Sequence, residues 1–179
     1  MSAQRHNHKS INKESLLGLI KANFQDISAP AFDKMIHHDC GECSELRDDF
    51  CKYDRLDVPL EVVSYHFADL PLLSPQARRY YLPSFLLRAI EAGNLGIIES
   101  LIFHLYTEDF DDEAGQRYCL TFTEQERNAI CAFLEYVALV YKDNWSKDDE
   151  YLTQARKTWC ERKPRTKSRT RGNDTPHNK

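Results

Sequence analysis

Thr123-Glu124-Gln125-Glu126-Arg127-Asn128-Ala129-Ile130-Cys131-Ala132-Phe133-Leu134-Glu135-Tyr136-Val137-Ala138-Leu139-Val140 is the stretch that decides the fold class. Thr123 followed three residues later by Glu126 is a capping box: the threonine takes a free N–H of the first helical turn, and the glutamate reaches back. Behind it Ile130, Phe133, Leu134, Val137 and Val140 recur at helical spacing, which predicts one buried face.

The same period extends outward in both directions. Upstream, Asn94 can cap a helix whose apolar residues are Leu95, Ile98, Leu101, Ile102 and Leu105. Ser74-Pro75 opens another, but Pro83 cannot donate to the helical ladder, so a break or sharp kink is expected near Tyr81–Pro83. A new helix would then run through Phe85, Leu86, Ala89 and Ile90 to the terminating Gly93. Asp57 reads as a cap with Pro59 near the first helical position, and Val62, Val63, His66 and Phe67 form the inner side. Cys43, Leu46 and Phe50 share one face of a helix from about Gly41 to Tyr53, with Glu45, Arg47, Asp48 and Asp49 opposite. Leu16, Leu17, Ile20, Phe24 and Ile27 mark the first helix, closed by Ser28-Ala29-Pro30. Downstream, Ser146 opens a last helix carrying Tyr151, Leu152, Ala155 and Trp159. Tyr118–Phe122 is the one strand candidate, too short to build a sheet. The expectation is an all-α, compact bundle of about seven short helices, one domain over residues 10–160, followed by a disordered basic tail over 161–179.

Charge is unevenly placed. The net charge is -4, yet residues 155–179 hold nine Lys or Arg against Glu161 and Asp174, a local +7 that leaves -11 on the remainder. An acidic body repels nucleic acid and suits a basic or a neutral protein partner; the tail could touch phosphates, membranes or the body of another copy, through electrostatics. The acidic run Glu108, Asp109, Asp111, Asp112, Glu113 lacks the glycine and spacing of a calcium loop. No apolar run reaches the length of a membrane span, and the first residues carry no apolar signal segment. Six cysteines at irregular spacing do not make a secreted disulfide scaffold, so a cytoplasmic chain with mostly free thiols is expected.

The residues closest to chemistry are His37-His38-Asp39-Cys40-Gly41-Glu42-Cys43. Two thiols three positions apart can bind one metal ion if imidazoles complete a tetrahedron, and zinc is the metal such a set suits. Cys40, Cys43, His38 and His66 are the candidate ligands, with His37 as a substitute and His104 more remote. Two other readings stand beside it: a packed thiol at Cys43 with an ordinary Cys40, or a redox dithiol opening a helix. Arg78 and Arg79 read as solvated, and the Tyr80-Tyr81-Leu82-Pro83 block as core aromatics. No Gly-rich phosphate loop, nucleophile elbow or His-Glu-x2-His helix is present.

Leu70-Pro71-Leu72-Leu73-Ser74-Pro75, Tyr80-Tyr81-Leu82-Pro83-Ser84-Phe85-Leu86-Leu87, Leu120-Thr121-Phe122-Thr123-Glu124-Gln125-Glu126 and Ala132-Phe133-Leu134-Glu135-Tyr136 resemble a small bacterial domain family of unknown function. Cys40-Gly41-Glu42-Cys43-Ser44-Glu45-Leu46 and Tyr65-His66 also look similar to it. The resemblance covers roughly residues 12–142 and leaves the helix at 146–160 and the tail outside. It implies a helical fold and a bacterial or phage origin, and no activity, substrate or cofactor.

With no nucleophile, base and orienting group to assemble, the expected function is a small cytosolic binding or regulatory protein, accessory or immunity-like, acting through a protein partner. The alternative is a zinc-dependent enzyme using the Cys/His cluster near residues 37–66. Nucleic-acid binding through the tail is disfavoured by the acidic body, and no membrane role is expected.

Overall fold

The computed structural model describes residues 12–106, 121–144 and 150–161. Seven α-helices lie among them: α1 Lys13–Asn23, α2 Gly41–Phe50, α3 Leu60–Tyr65, α4 Pro75–Ala92, α5 Leu95–Leu105, α6 Glu124–Val140 and α7 Glu150–Arg156. The last continues into one wider turn at Lys157–Glu161, and short 3-10 turns sit at Phe32–Lys34 and Leu70–Leu72. The described residues include no strand beyond a single antiparallel bridge between Ile36 and Leu73. The fold class is all-α.

α4 is the hub. α1, α3 and α5 pack against it, α1 also packs against α6, and α7 lies against α5 and α6. Tyr80 through Leu87 are all buried, so α4 is covered on every side rather than along one stripe. The buried apolar residues from Leu16 to Trp159 form one continuous cluster.

Pro83 does not break this helix. α4 runs from Pro75 to Ala92 with Pro83 inside it, so of the break or kink expected there the break does not occur. A proline in a helix interior costs about 3 kcal/mol. Each large apolar side chain buried contributes about 1.5–3 kcal/mol, and Tyr80, Tyr81, Leu82, Phe85, Leu86 and Leu87 all lie in the core around it. Two further pins flank the proline: Tyr81 Oη donates to Phe50 O at 3.0 Å, and Ser84 Oγ donates to Arg55 O at 2.6 Å. Local propensity loses to packing.

Other helix limits shift as well. α3 begins at Leu60 with Pro59 in the cap position and no capping side chain, so Asp57 is not the cap. Of the faces expected to be inward, Phe67, Val140 and Tyr151 are exposed. The capping box at Thr123 and Glu126, the Asn94 cap and the left-handed Gly93 (φ 61) stand as read. Residues 107–120, 145–149 and 162–179 lie outside the described residues, and with them the acidic run, most of the Tyr118–Phe122 strand candidate, the Ser146 cap and the basic tail.

The connector between α1 and α2 is fixed from one side. Ser74 Oγ donates to Lys34 O at 2.6 Å and Ser74 N to Met35 O at 2.8 Å, beside the Ile36–Leu73 bridge. The segment bearing His37 to Cys40 is thereby held to the start of α4.

Candidate functional site

Cys40 is the N-cap of α2. Its backbone is extended, and its sulfur accepts the N–H of Cys43 at 3.3 Å. Helical geometry then stacks Cys43 one turn on, where it points inward with Leu46 and Phe50. The two sulfurs stand 2.7 Å apart, and Cys43 Sγ lies 3.5 Å from His38 Nε2. Donor atoms of His38, Cys40 and Cys43 all fall within 4.8 Å of one another. Burial is graded: His38 is exposed, Cys40 intermediate, Cys43 fully buried. The hydrogen bond from Cys40, followed by burial, pushes the Cys43 thiol up to about 11. Two sulfurs bound to one tetrahedral zinc at about 2.3 Å each are about 3.8 Å apart, so metal entry requires them to part by about an ångström. Asp39, between the ligands, is engaged elsewhere: its Oδ1 accepts Ser44 Oγ at 2.9 Å.

His66 does not join this group. It is buried, and both ring nitrogens face carboxylates: Nδ1 to Asp69 Oδ2 at 2.9 Å and Nε2 to Asp49 Oδ2 at 3.1 Å. Phe50 and Tyr65 meet the ring edge to face. An imidazole satisfied at both nitrogens offers no lone pair to a metal. His66 is therefore a clasp between α2, α3 and the turn at Leu70–Leu72. Asp49 is held below the usual carboxylate range by Lys52 first and by His66 second. The spacing of His66 and Asp69 is a local signal for half of this clasp; the Asp49 half depends on packing between elements.

The remaining histidines also stay apart. His37 is exposed and held below its usual range by partial burial and by Arg78. His104, on α5, is lowered to about 4, chiefly by burial and then by Arg78, against a hydrogen bond to the Ala68 backbone. Its Nε2 is buried with no hydrogen-bond partner.

Three features escaped the sequence reading. Arg79, read as solvated, grips the buried Glu126 of α6: Nη2 to Oε1 at 2.8 Å and Nε to Oε2 at 3.0 Å. The same Oε2 accepts Thr123 N at 2.7 Å, so the capping glutamate also ties α4 to α6. Cys131 and Cys160 are joined in a disulfide, a pairing the sequence reading did not single out, while the other described cysteines keep to the expectation of mostly free thiols. Burial of Trp159, whose Nε1 donates to Leu105 O at 2.9 Å, sets the last turn against α6 and brings the two sulfurs together. Glu135 lies near that pair but is held by Arg156 in a two-pronged ion pair at 2.8–3.1 Å. Cys40, Cys43 and Cys51 are free.

The third feature is an aromatic surface. Phe103 (57% exposed) and Tyr151 (46% exposed) meet edge to face at 5.7 Å, and Tyr106 meets Tyr151 at 4.8 Å. One turn back along α5, Ser100 Oγ donates to the main-chain oxygen of Phe67 at 2.7 Å, and the Phe67 side chain is exposed. A separate pocket of about 440 Å³ is lined by Asp26, Ile27, Ser28, Pro75, Gln76, Arg79 and Thr121, with none of the thiol or imidazole residues in its wall. No described helix is long and apolar enough to cross a membrane.

Residues 12–163 match the model of a family of unknown function, DUF6714, and the chain belongs to that family. The match takes in α7 and its final turn, beyond the 12–142 span of the resemblance. The chain matches no curated protein and no solved structure.

Proposed function

Starting from that membership, we propose that the chain is a small helical binding protein that works by occupying the surface of a protein partner. The observation that carries this reading is the exposed aromatic pair Phe103 and Tyr151, backed by the half-buried Tyr106. Large apolar rings held against one another in water mark interaction surfaces, and Phe and Tyr are enriched at the centres of interfaces. Outside residues 155–179 the chain carries a net charge of -11, which favours a partner with a basic surface. The test places a photo-crosslinking residue at the exposed Glu99, beside this surface, in cells. One dominant protein should be captured, and F103S/Y151S, with an unchanged melting temperature, should lose it. Diffuse capture, or capture that survives the double variant, would overturn the reading.

A second reading is supported by the convergence of His38, Cys40 and Cys43. These three residues would hold zinc and leave a fourth position open to a water or to a side chain from outside. A zinc enzyme also needs a cleft for substrate, and none of the three lines the pocket described above. Protein purified without chelator should carry about one zinc per chain by elemental analysis, lost in H38A and C43A. Metal-free protein would remove this reading and leave the partner surface untouched.

A further inference from the structure

We propose that Cys40 and Cys43 form a redox-active dithiol that exchanges with an accessible disulfide. The geometry points there more directly than to a metal. The sulfurs stand 2.7 Å apart without being bonded. A disulfide bond is about 2.05 Å long, so closing the pair needs a smaller movement than opening it to about 3.8 Å for zinc. The two thiols are also unequal in the way exchange requires. Cys40 caps a ten-residue helix and is partly open to solvent, whereas Cys43 is fully buried beneath it. One sulfur can be reached by a substrate and the other only by its neighbour.

The steps follow from that inequality. The Cys40 sulfur attacks one sulfur of a disulfide R–S–S–R, forming a mixed disulfide and releasing R–S⁻, which takes up the proton Cys40 gives up. Cys43 then attacks the Cys40 sulfur, the Cys40–Cys43 bond forms, and the second R–S⁻ leaves and takes the Cys43 proton. Two electrons pass from the chain to the substrate, which ends as two thiols. The substrate is the oxidant, and its chemical class is a solvent-accessible disulfide, in a protein or in a low-molecular-weight thiol compound. His38, 3.5 Å from Cys43 Sγ, borders the buried thiol through both steps. The inference does not depend on the partner surface, and it competes with zinc for the same two sulfurs.

The test uses the full chain in a C51S/C119S background, which removes the exposed Cys51 and the one cysteine outside the described residues. The Cys131–Cys160 bond is left intact. Oxidised glutathione is one arm and disulfide-bonded insulin the other, with peptide mass spectrometry as the readout. The peptide bearing Cys40 and Cys43 should lose two hydrogens in at least one arm, and the faster arm identifies the source of the disulfide. C43A should instead trap a mixed disulfide on Cys40. C40S, in which serine keeps the helix cap, should modify Cys43 at least about tenfold more slowly. C43S replaces C43A if the alanine variant does not fold. Absence of the internal disulfide in both arms, or equal rates at the two positions, would overturn the proposal. Zinc retained on an inert pair would also overturn it while leaving the metal reading standing; exchange by metal-free protein would support it and remove the metal.

Discussion

Two regions of this molecule are assembled in opposite ways. The corner at the start of α2 draws His38, Cys40 and Cys43 from six consecutive positions. The ties of α6 to α4 and to the turn after α7 are made by pairs far apart in sequence, 47 positions from Arg79 to Glu126 and 29 from Cys131 to Cys160. At the local corner the sulfurs and the His38 ring contact only one another and the backbone of their own turn, whereas on the remote side Arg79, Glu126, Cys131 and Cys160 each tie one element to another. The donor atoms that could take a ligand come from one turn of chain, and the long-range ties are what hold the helices to one another.

Stability measurements can break this contrast. The largest loss is expected for E126A. It strands the Arg79 guanidinium and removes half of the capping box, and breaking a buried ion pair costs about 3–5 kcal/mol. Chemical denaturation reads this directly; a loss below about 1 kcal/mol would mean that the pair is no more than a surface contact. Next comes the C131S/C160S double variant. Closing a loop of this length contributes about 3–4 kcal/mol, and the same loss should follow reduction of the wild-type protein. Equal stability of oxidised and reduced protein would show that Trp159 and the Arg156–Glu135 pair hold α7 unaided.

Acid should separate the regions a third way. His104 is lowered to about 4 in the folded chain against 6.5 when unfolded. Below about pH 6.5 the unfolded state takes up a proton that the folded state refuses, so stability is complete above that pH and falls as pH drops toward 4. The slope approaches about 1.4 kcal/mol per pH unit, or about 3 kcal/mol across the window. Denaturation midpoints for H104Q should be flatter between pH 6.5 and 4 than those of the wild type; parallel curves would place the acid sensitivity elsewhere. Asp49, lowered by Lys52 and His66, adds to the loss only further down, as pH falls below the ordinary carboxylate range. The smallest effect is expected at the local corner. C40A removes a weak cap and should cost about 0.5 kcal/mol, with C40S neutral or slightly stabilising. A loss of several kcal/mol for C40A would erase the distinction between the two regions.

What the sequence disclosed follows the same division. Caps at Asn94, Thr123 and Gly93 and the apolar faces of α1, α2, α5 and most of α6 were legible because each depends on residues within a turn or two of one another. His38, Cys40 and Cys43 were legible for the same reason. His66 was misassigned because its Asp49 partner lies on another helix, and α2 periodicity alone gave Asp49 a solvent-facing role. Arg79 and the Cys131–Cys160 bond were unreadable because helix packing alone decides what lies opposite them. Pro83 failed in the other direction: a local rule was right about the cost and silent about the core that offsets it.

That proline has a consequence for how the chain comes to be folded. A segment with a missing donor at its midpoint nucleates poorly as a free helix, since starting a helix is already unfavourable and the gap divides it into two short halves. α4 is also the element on which α1, α3 and α5 converge. The hub can then become fully helical only as its neighbours arrive, so secondary and tertiary structure at the centre of this molecule form in one concerted event rather than in sequence.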